Sequence, residues 1–158
     1  MSGRSTHPGV VVGVDGSASA RNAVRWAARE AVMRHVPLTL VHALAATAVS
    51  SSRSGWQPAA PIPAELWPRQ EDEARKTIAD AARVVEDSVD QAVTPQTDTE
   101  LVYSPPVPAL VDLSKEAQLI VVGCRGKSAL HRTLLGSVST GLVHHARRAD
   151  SGIVARRQ

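Results

Sequence analysis

Leu119-Ile120-Val121-Val122-Gly123-Cys124-Arg125-Gly126 is the stretch on which the fold turns. Four consecutive apolar residues, most of them β-branched, read as a strand buried on both faces. A glycine at the strand exit lets backbone approach a ligand closely, because no Cβ blocks the way. Nine residues after Gly126 the chain reads Gly136-Ser137-Val138-Ser139, and a helix is predicted from Ser137 to about Arg147. A helix N-terminus carries unpaired N–H groups that favour anions. The two segments together predict a phosphate cradle. Gly123 and Gly126 would let the backbone pass close to ribose and phosphates. Gly136, Ser137, Val138 and Ser139 would present N–H groups and hydroxyls to the β- and γ-phosphates.

Average residue frequencies put the chance occurrence of G-x2-G-x9-G-S at about 0.4% in a chain of this length, so two unrelated turns are the weaker reading. Two other phosphate motifs are excluded. Gly126-Lys127-Ser128 resembles the end of a P-loop, but that motif needs a glycine five positions earlier, where Val121 stands. The dinucleotide fingerprint G-x-G-x-x-G is absent as well, since the first strand exit reads Gly13-Val14-Asp15-Gly16-Ser17.

Working outward, Val10–Val14 is another continuous β-branched run and a second buried strand. Ser17 or Ser19 can cap the helix that follows, from Ala20 to about His35, and Pro37 stops it. Leu38–His42 is the next strand. Residues 44–68 are rich in Ser, Gly and Pro and are predicted as a long loop, anchored by Trp56 and Trp67. A helix from about Arg69 to Val93 carries Ala74, Ile78, Ala81, Val85 and Val89 as its apolar stripe. Thr99–Tyr103 is a strand and Ala109–Glu116 a short helix. This alternation predicts one α/β domain over 1–158, a parallel sheet with helices on both faces, with a flexible stretch over its first residues, 1–8. In such sheets ligands bind beyond the carboxyl ends of strands. Gly13, Asp15, Val41 and Gly123 all fall at such ends.

Composition narrows the function. The chain has 158 residues, 43% hydrophobic and 21% charged, the mix of a globular domain with its own core. Aromatics are 3% with no Phe, which argues against stacking platforms for single-stranded nucleic acid. The net charge is +3, with basic residues dispersed apart from Arg147-Arg148 and Arg156-Arg157, so no nucleic-acid partner is expected. No apolar run approaches the ~20 residues of a membrane span. The lone Cys124 makes no internal disulfide, and a reducing cytoplasm is the expected compartment.

The glycine motif after a strand, the opening Val10-Val11-Val12-Gly13-Val14-Asp15-Gly16-Ser17 and the stretch Leu38-Thr39-Leu40-Val41-His42-Ala43 resemble the universal stress protein family, in its ATP-binding branch. The resemblance runs from about residue 8 to about residue 146. It implies a five-stranded parallel sheet in the order 3-2-1-4-5, a Rossmann-like sheet of the adenine nucleotide alpha hydrolase type. It also implies ATP as ligand, with main-chain groups of Val41 on the adenine edge. Asp15 would bond ribose hydroxyls or help hold Mg2+ on the phosphates; its plainer role is to cap the following helix together with Ser17. Arg125 and Lys127, with His131 and Arg132, make the loop cationic, as phosphates require.

The end of the chain departs from the family. Where members carry Cys-Pro-Val and a strong fifth strand, this chain reads Arg147-Arg148-Ala149-Asp150-Ser151-Gly152-Ile153-Val154-Ala155, and only 153–155 is strand-like. The resemblance implies a homodimer, since the fifth strand often forms the dimer contact in relatives, and this departure argues against dimerisation by that edge. No H-E-x-x-H, no G-x-S-x-G and no cysteine cluster is present, and no residue makes a compelling case as a general base. The expectation is an ATP-binding, nucleotide-dependent regulator of stress or growth adaptation, acting through an unidentified protein partner. A nucleotide-free interaction module and a slow ATPase are the other two readings.

Overall fold

The computed structural model describes residues 9–48, 60–124, 138, 141–142 and 152–156. Five strands form one parallel sheet: β1 Val10–Gly13, β2 Leu38–Ala43, β5 Thr97–Val102, β6 Leu119–Gly123 and β7 Gly152–Arg156. A short antiparallel pair, β3 Thr47–Ala48 and β4 Ala60–Pro61, lies between β2 and the second helix. The sheet order is β5-β2-β1-β6-β7. Numbered by the main sheet alone, that is 3-2-1-4-5, the order the resemblance implies. The helices are α1 Ala18–Arg34, α2 Trp67–Glu86 and α3 Pro106–Leu113, and Val138, Gly141 and Leu142 are also helical.

The alternation of side chains along buried strands divides the core into two layers. Val10, Val12, Val14, Leu38, Leu40, Leu119 and Val121 face α1 and α2. Val11, Val41, Ile120 and Val122 face Leu110 of α3 and Leu142. Every one of these positions is buried, which is why β1 and β6 read as unbroken apolar runs. Helix α1 meets the sheet with Ala20, Ala23, Ala27, Ala28 and Ala31, so its axis can lie close to the strands. Each fully buried Val, Leu or Ile contributes about 1.5–3 kcal/mol, and with no Phe available this aliphatic layer supplies the core.

Local chemistry sets the ends of α1. The Ser17 hydroxyl accepts from the Ala20 N–H at 3.1 Å. At the other end His35 adopts the left-handed conformation with φ 53°, and the Val36 N–H returns to the Ala31 carbonyl at 3.1 Å. This closure satisfies carbonyls that the helix leaves open.

Several boundaries differ from the sequence reading. Helix α2 ends at Glu86, and a separate 3-10 turn spans Gln91–Val93. Helix α3 starts at Pro106, three residues early, because a proline is tolerated where the first helical N–H has no partner. The third main-sheet strand begins at Thr97, because Leu38 extends its pairing down to that residue. The predicted loop 44–68 contains the β3–β4 pair, a 3-10 turn at Ala64–Leu66 and the start of α2 at Trp67. Trp67 packs beside Tyr103, ring centroids 6.3 Å apart, while Trp56 lies outside the described residues. The last strand is longer than 153–155: Gly152 to Arg156 pair in parallel with Leu119 to Gly123.

Candidate functional site

The carboxyl ends of β2, β1 and β6 stand side by side. Gly13 is level with Val41, and Val12 is level with Val121. The chain leaves β1 through Val14, Asp15, Gly16 and Ser17 before α1 begins. Gly16 has φ 80°, a left-handed conformation that glycine adopts without the Cβ penalty. The Ser17 N–H donates to Asp15 Oδ1 at 2.9 Å. Asp15 therefore shapes the turn into α1, and the cap itself is the Ser17 hydroxyl. A carboxylate offers about four lone-pair sites, so this bond does not by itself oppose a second role toward a ligand.

Val41 is 1% exposed, and its side chain belongs to the layer under α3. Its carbonyl accepts from the Val14 N–H at 2.8 Å. Of the Val41 main-chain groups expected at an adenine edge, the carbonyl thus spends one of its two lone pairs inside the sheet. Strand alternation identifies the next candidate. The N–H groups of Leu38 and Leu44 point to the β5 side, at Gln96 and Val102. Residues of the other parity, Val41 and then Ala43, direct their main-chain groups to the β1 side. Ala43 is half-buried and stands beyond the last residue of β1.

His42 is a residue to which the sequence reading gave no role. Its Nδ1 lies 2.8 Å from the Val14 carbonyl. A carbonyl only accepts, so Nδ1 carries the proton. This bond fastens the end of β2 to the exit of β1. The one signal in the sequence was a polar residue at the end of an apolar strand.

Gly123 stands where β6 passes the first turn of α1. A Cβ there would lie 2.7 Å from Ser19 Oγ and 2.8 Å from the Ala20 backbone nitrogen. The glycine is thereby required by helix–strand packing. Cys124 is buried, with its Sγ 3.7 Å from Ser19 Oγ. At Gly13 an added Cβ would meet only side-chain tips, Leu110 Cδ1 at 3.3 Å and Val122 Cγ1 at 3.4 Å. Val138 is helical, half-buried and packed against the α3 layer. Arg125, Gly126, Lys127, Gly136, Ser137 and Ser139 lie outside the described residues. Among the described residues no three His, Cys, Asp or Glu side chains are placed to hold a metal ion, and no helix is long and apolar enough to cross a membrane.

Residues 9–148 match the sequence pattern of the Universal stress protein family. Universal stress protein Rv2623 of Mycobacterium tuberculosis is 45% identical over 146 residues, a match covering 92% of this chain and 47% of that protein. The chain thus spans about half the length of this relative. Among solved structures, a universal stress protein in complex with cAMP superposes with a TM-score of 0.67 at 24% identity, over 97% of this chain and 99% of that one. The universal stress protein from Archaeoglobus fulgidus in complex with dAMP gives a TM-score of 0.67 at 22% identity, over 96% of this chain and 99% of that one.

Proposed function

The chain belongs to the universal stress protein family, and from that premise we propose that it binds an adenine nucleotide, ATP, beyond the carboxyl ends of β1, β2 and β6. The observation that carries this reading is the register of the three strand ends around the Asp15–Ser17 turn. Open parallel sheets bind ligands at this edge. Two similar folds carry cAMP and dAMP, which makes an adenylate the ligand class to test first.

In this reading Asp15 bonds the ribose or holds Mg2+ against the phosphates. A single carboxylate suits that ion, which is commonly held by one or two carboxylates together with substrate phosphates. Main-chain groups at the end of β2, at Val41 and at Ala43, the next residue of its parity, meet the base. Gly126, Gly136, Ser137 and Ser139 hold the phosphates, with Arg125 and Lys127 supplying charge. The protein then acts as a cytoplasmic nucleotide-dependent regulator, alone or as a homodimer, by shifting the affinity of a protein partner. A ligand moves such an equilibrium only through its differential affinity for the two states.

A second reading, a nucleotide-free interaction module of the same fold, draws on Gly123. Its missing side chain is explained by α1 alone, with no ligand needed. Mass spectrometry of nucleotide released from the purified protein, followed by calorimetry with ATP and Mg2+, separates the two. Bound adenylate and a saturable heat that is lost on Gly126→Trp support the first. No heat from a folded sample supports the second.

A further inference from the structure

A cavity of about 260 Å3 opens between the first turns of α1 and the middle of α2. It lies on the α1–α2 side of the sheet, behind the Asp15 turn. Its floor is apolar: Val14, Ala20, Val24 and Ala81 are all buried. Its rim is charged, and the charges are unevenly matched. Glu73 faces Arg69 along α2, and Asp80 faces Arg83, each at 3.5 Å. The Arg21 guanidinium has no carboxylate among the described residues and donates to the Gly16 carbonyl at 3.2 Å. Lys76 has neither a hydrogen bond nor an ion pair among the described residues. The Thr77 hydroxyl proton is committed to the Glu73 carbonyl at 2.9 Å. Recognition of an anion at this rim would therefore fall to Arg21 and Lys76.

We propose that this cavity is a second ligand site, separate from the strand-end site, and that it takes a small amphipathic carboxylate. The apolar group would cover Val24 and Ala81, and the carboxylate would sit between Arg21 and Lys76. Size supports a small ligand. Pockets for drug-sized molecules begin near 300 Å3, whereas a dry cavity of about 150 Å3 already admits benzene. An anion also fits the charge count, since Arg69 and Arg83, beyond the rim, already engage the rim carboxylates Glu73 and Asp80. Arg21 holds the Gly16 carbonyl, so occupancy bears directly on the turn that carries Asp15. The proposal stands on the cavity and does not depend on nucleotide binding.

The test uses the full chain labelled with 15N, with benzoate as probe and benzyl alcohol as its neutral counterpart. Saturable amide shifts at Ala20, Arg21, Lys76 and Ala81 are expected with benzoate, and binding of benzyl alcohol should be about tenfold weaker. Arg21→Gln and Lys76→Gln, both at exposed positions, should each weaken benzoate about tenfold and leave benzyl alcohol unchanged. Thr77→Trp, which fills the cavity from its rim, should remove both. The proposal is overturned by linear, non-saturating shifts, by equal affinity for the two probes, or by benzoate binding that survives both charge substitutions.

Discussion

The exits of β1 and β6 look alike in sequence and differ in what they require of glycine. Gly13 ends β1 and Gly123 ends β6, and a stretch rich in polar residues follows each in the sequence. At Gly13 the missing side chain faces flexible tips of Leu110 and Val122, 3.3–3.4 Å away. At Gly123 it faces the backbone of α1, 2.8 Å away. Side-chain tips can move aside by rotation, and a helix backbone cannot. One glycine is therefore a packing preference and the other a condition for docking α1 on the sheet.

Substitution at Gly123 should break this comparison most sharply. Gly123→Ala is expected to cost about 3 kcal/mol, the upper end of the overpacking range, read as a lower urea midpoint at unchanged slope. Parent-like stability would refute the packing account and return Gly123 to a purely ligand-facing role. Next in size, Ser17→Ala should cost about 1 kcal/mol by removing the acceptor for the Ala20 N–H, in the same turn of α1 that β6 presses against. Gly13→Ala should fall within about 0.5 kcal/mol of the parent. The backbone entropy gained by Ala in a strand roughly offsets the tight contact with Leu110.

The exit of β5 supplies a third case, held by a side chain. The Tyr103 hydroxyl donates to Glu71 Oε1 at 2.9 Å and ties the β5 end to α2. That hydrogen bond, then desolvation, then the Glu71 charge push the phenol up from its usual value near 10, and Arg75 opposes them. A phenol held protonated in the folded state stabilises below its unfolded pKa. That contribution is lost as pH rises through the raised folded value. Stability should accordingly decline a little in strongly alkaline solution, and Tyr103→Phe should remove that decline. Tyr103 is the only tyrosine in the chain, so a phenolate absorbance titration reads this group alone.

Much of the site's scaffold was legible from residues. The β-branched runs and the glycines marked the strand ends to within one residue, and Ser17 was one of two caps offered for α1, because strand and cap signals act over a few neighbours. Val41 shows where such reading stops. Its position at a strand end was plain, but the bond its carbonyl accepts from Val14 depends on how β1 and β2 align. His42 was invisible for the same reason, since its acceptor belongs to another strand. The residues 44–68 read as loop by composition, and their β3–β4 pair is only two residues on each side. Strands that short carry no periodicity to detect.

The sequence by itself determined the alternation of strands and helices, the two faces of each buried strand and the family to which the chain is similar. Those properties follow from side-chain period and local capping, which need no distant partner. Only the tertiary structure decided why Gly123 must be glycine, that the Val41 carbonyl accepts from Val14, and that a charged cavity lies behind the Asp15 turn. Each of these depends on the distance between segments far apart in the chain, and close packing of α1 and α2 on the sheet sets that distance.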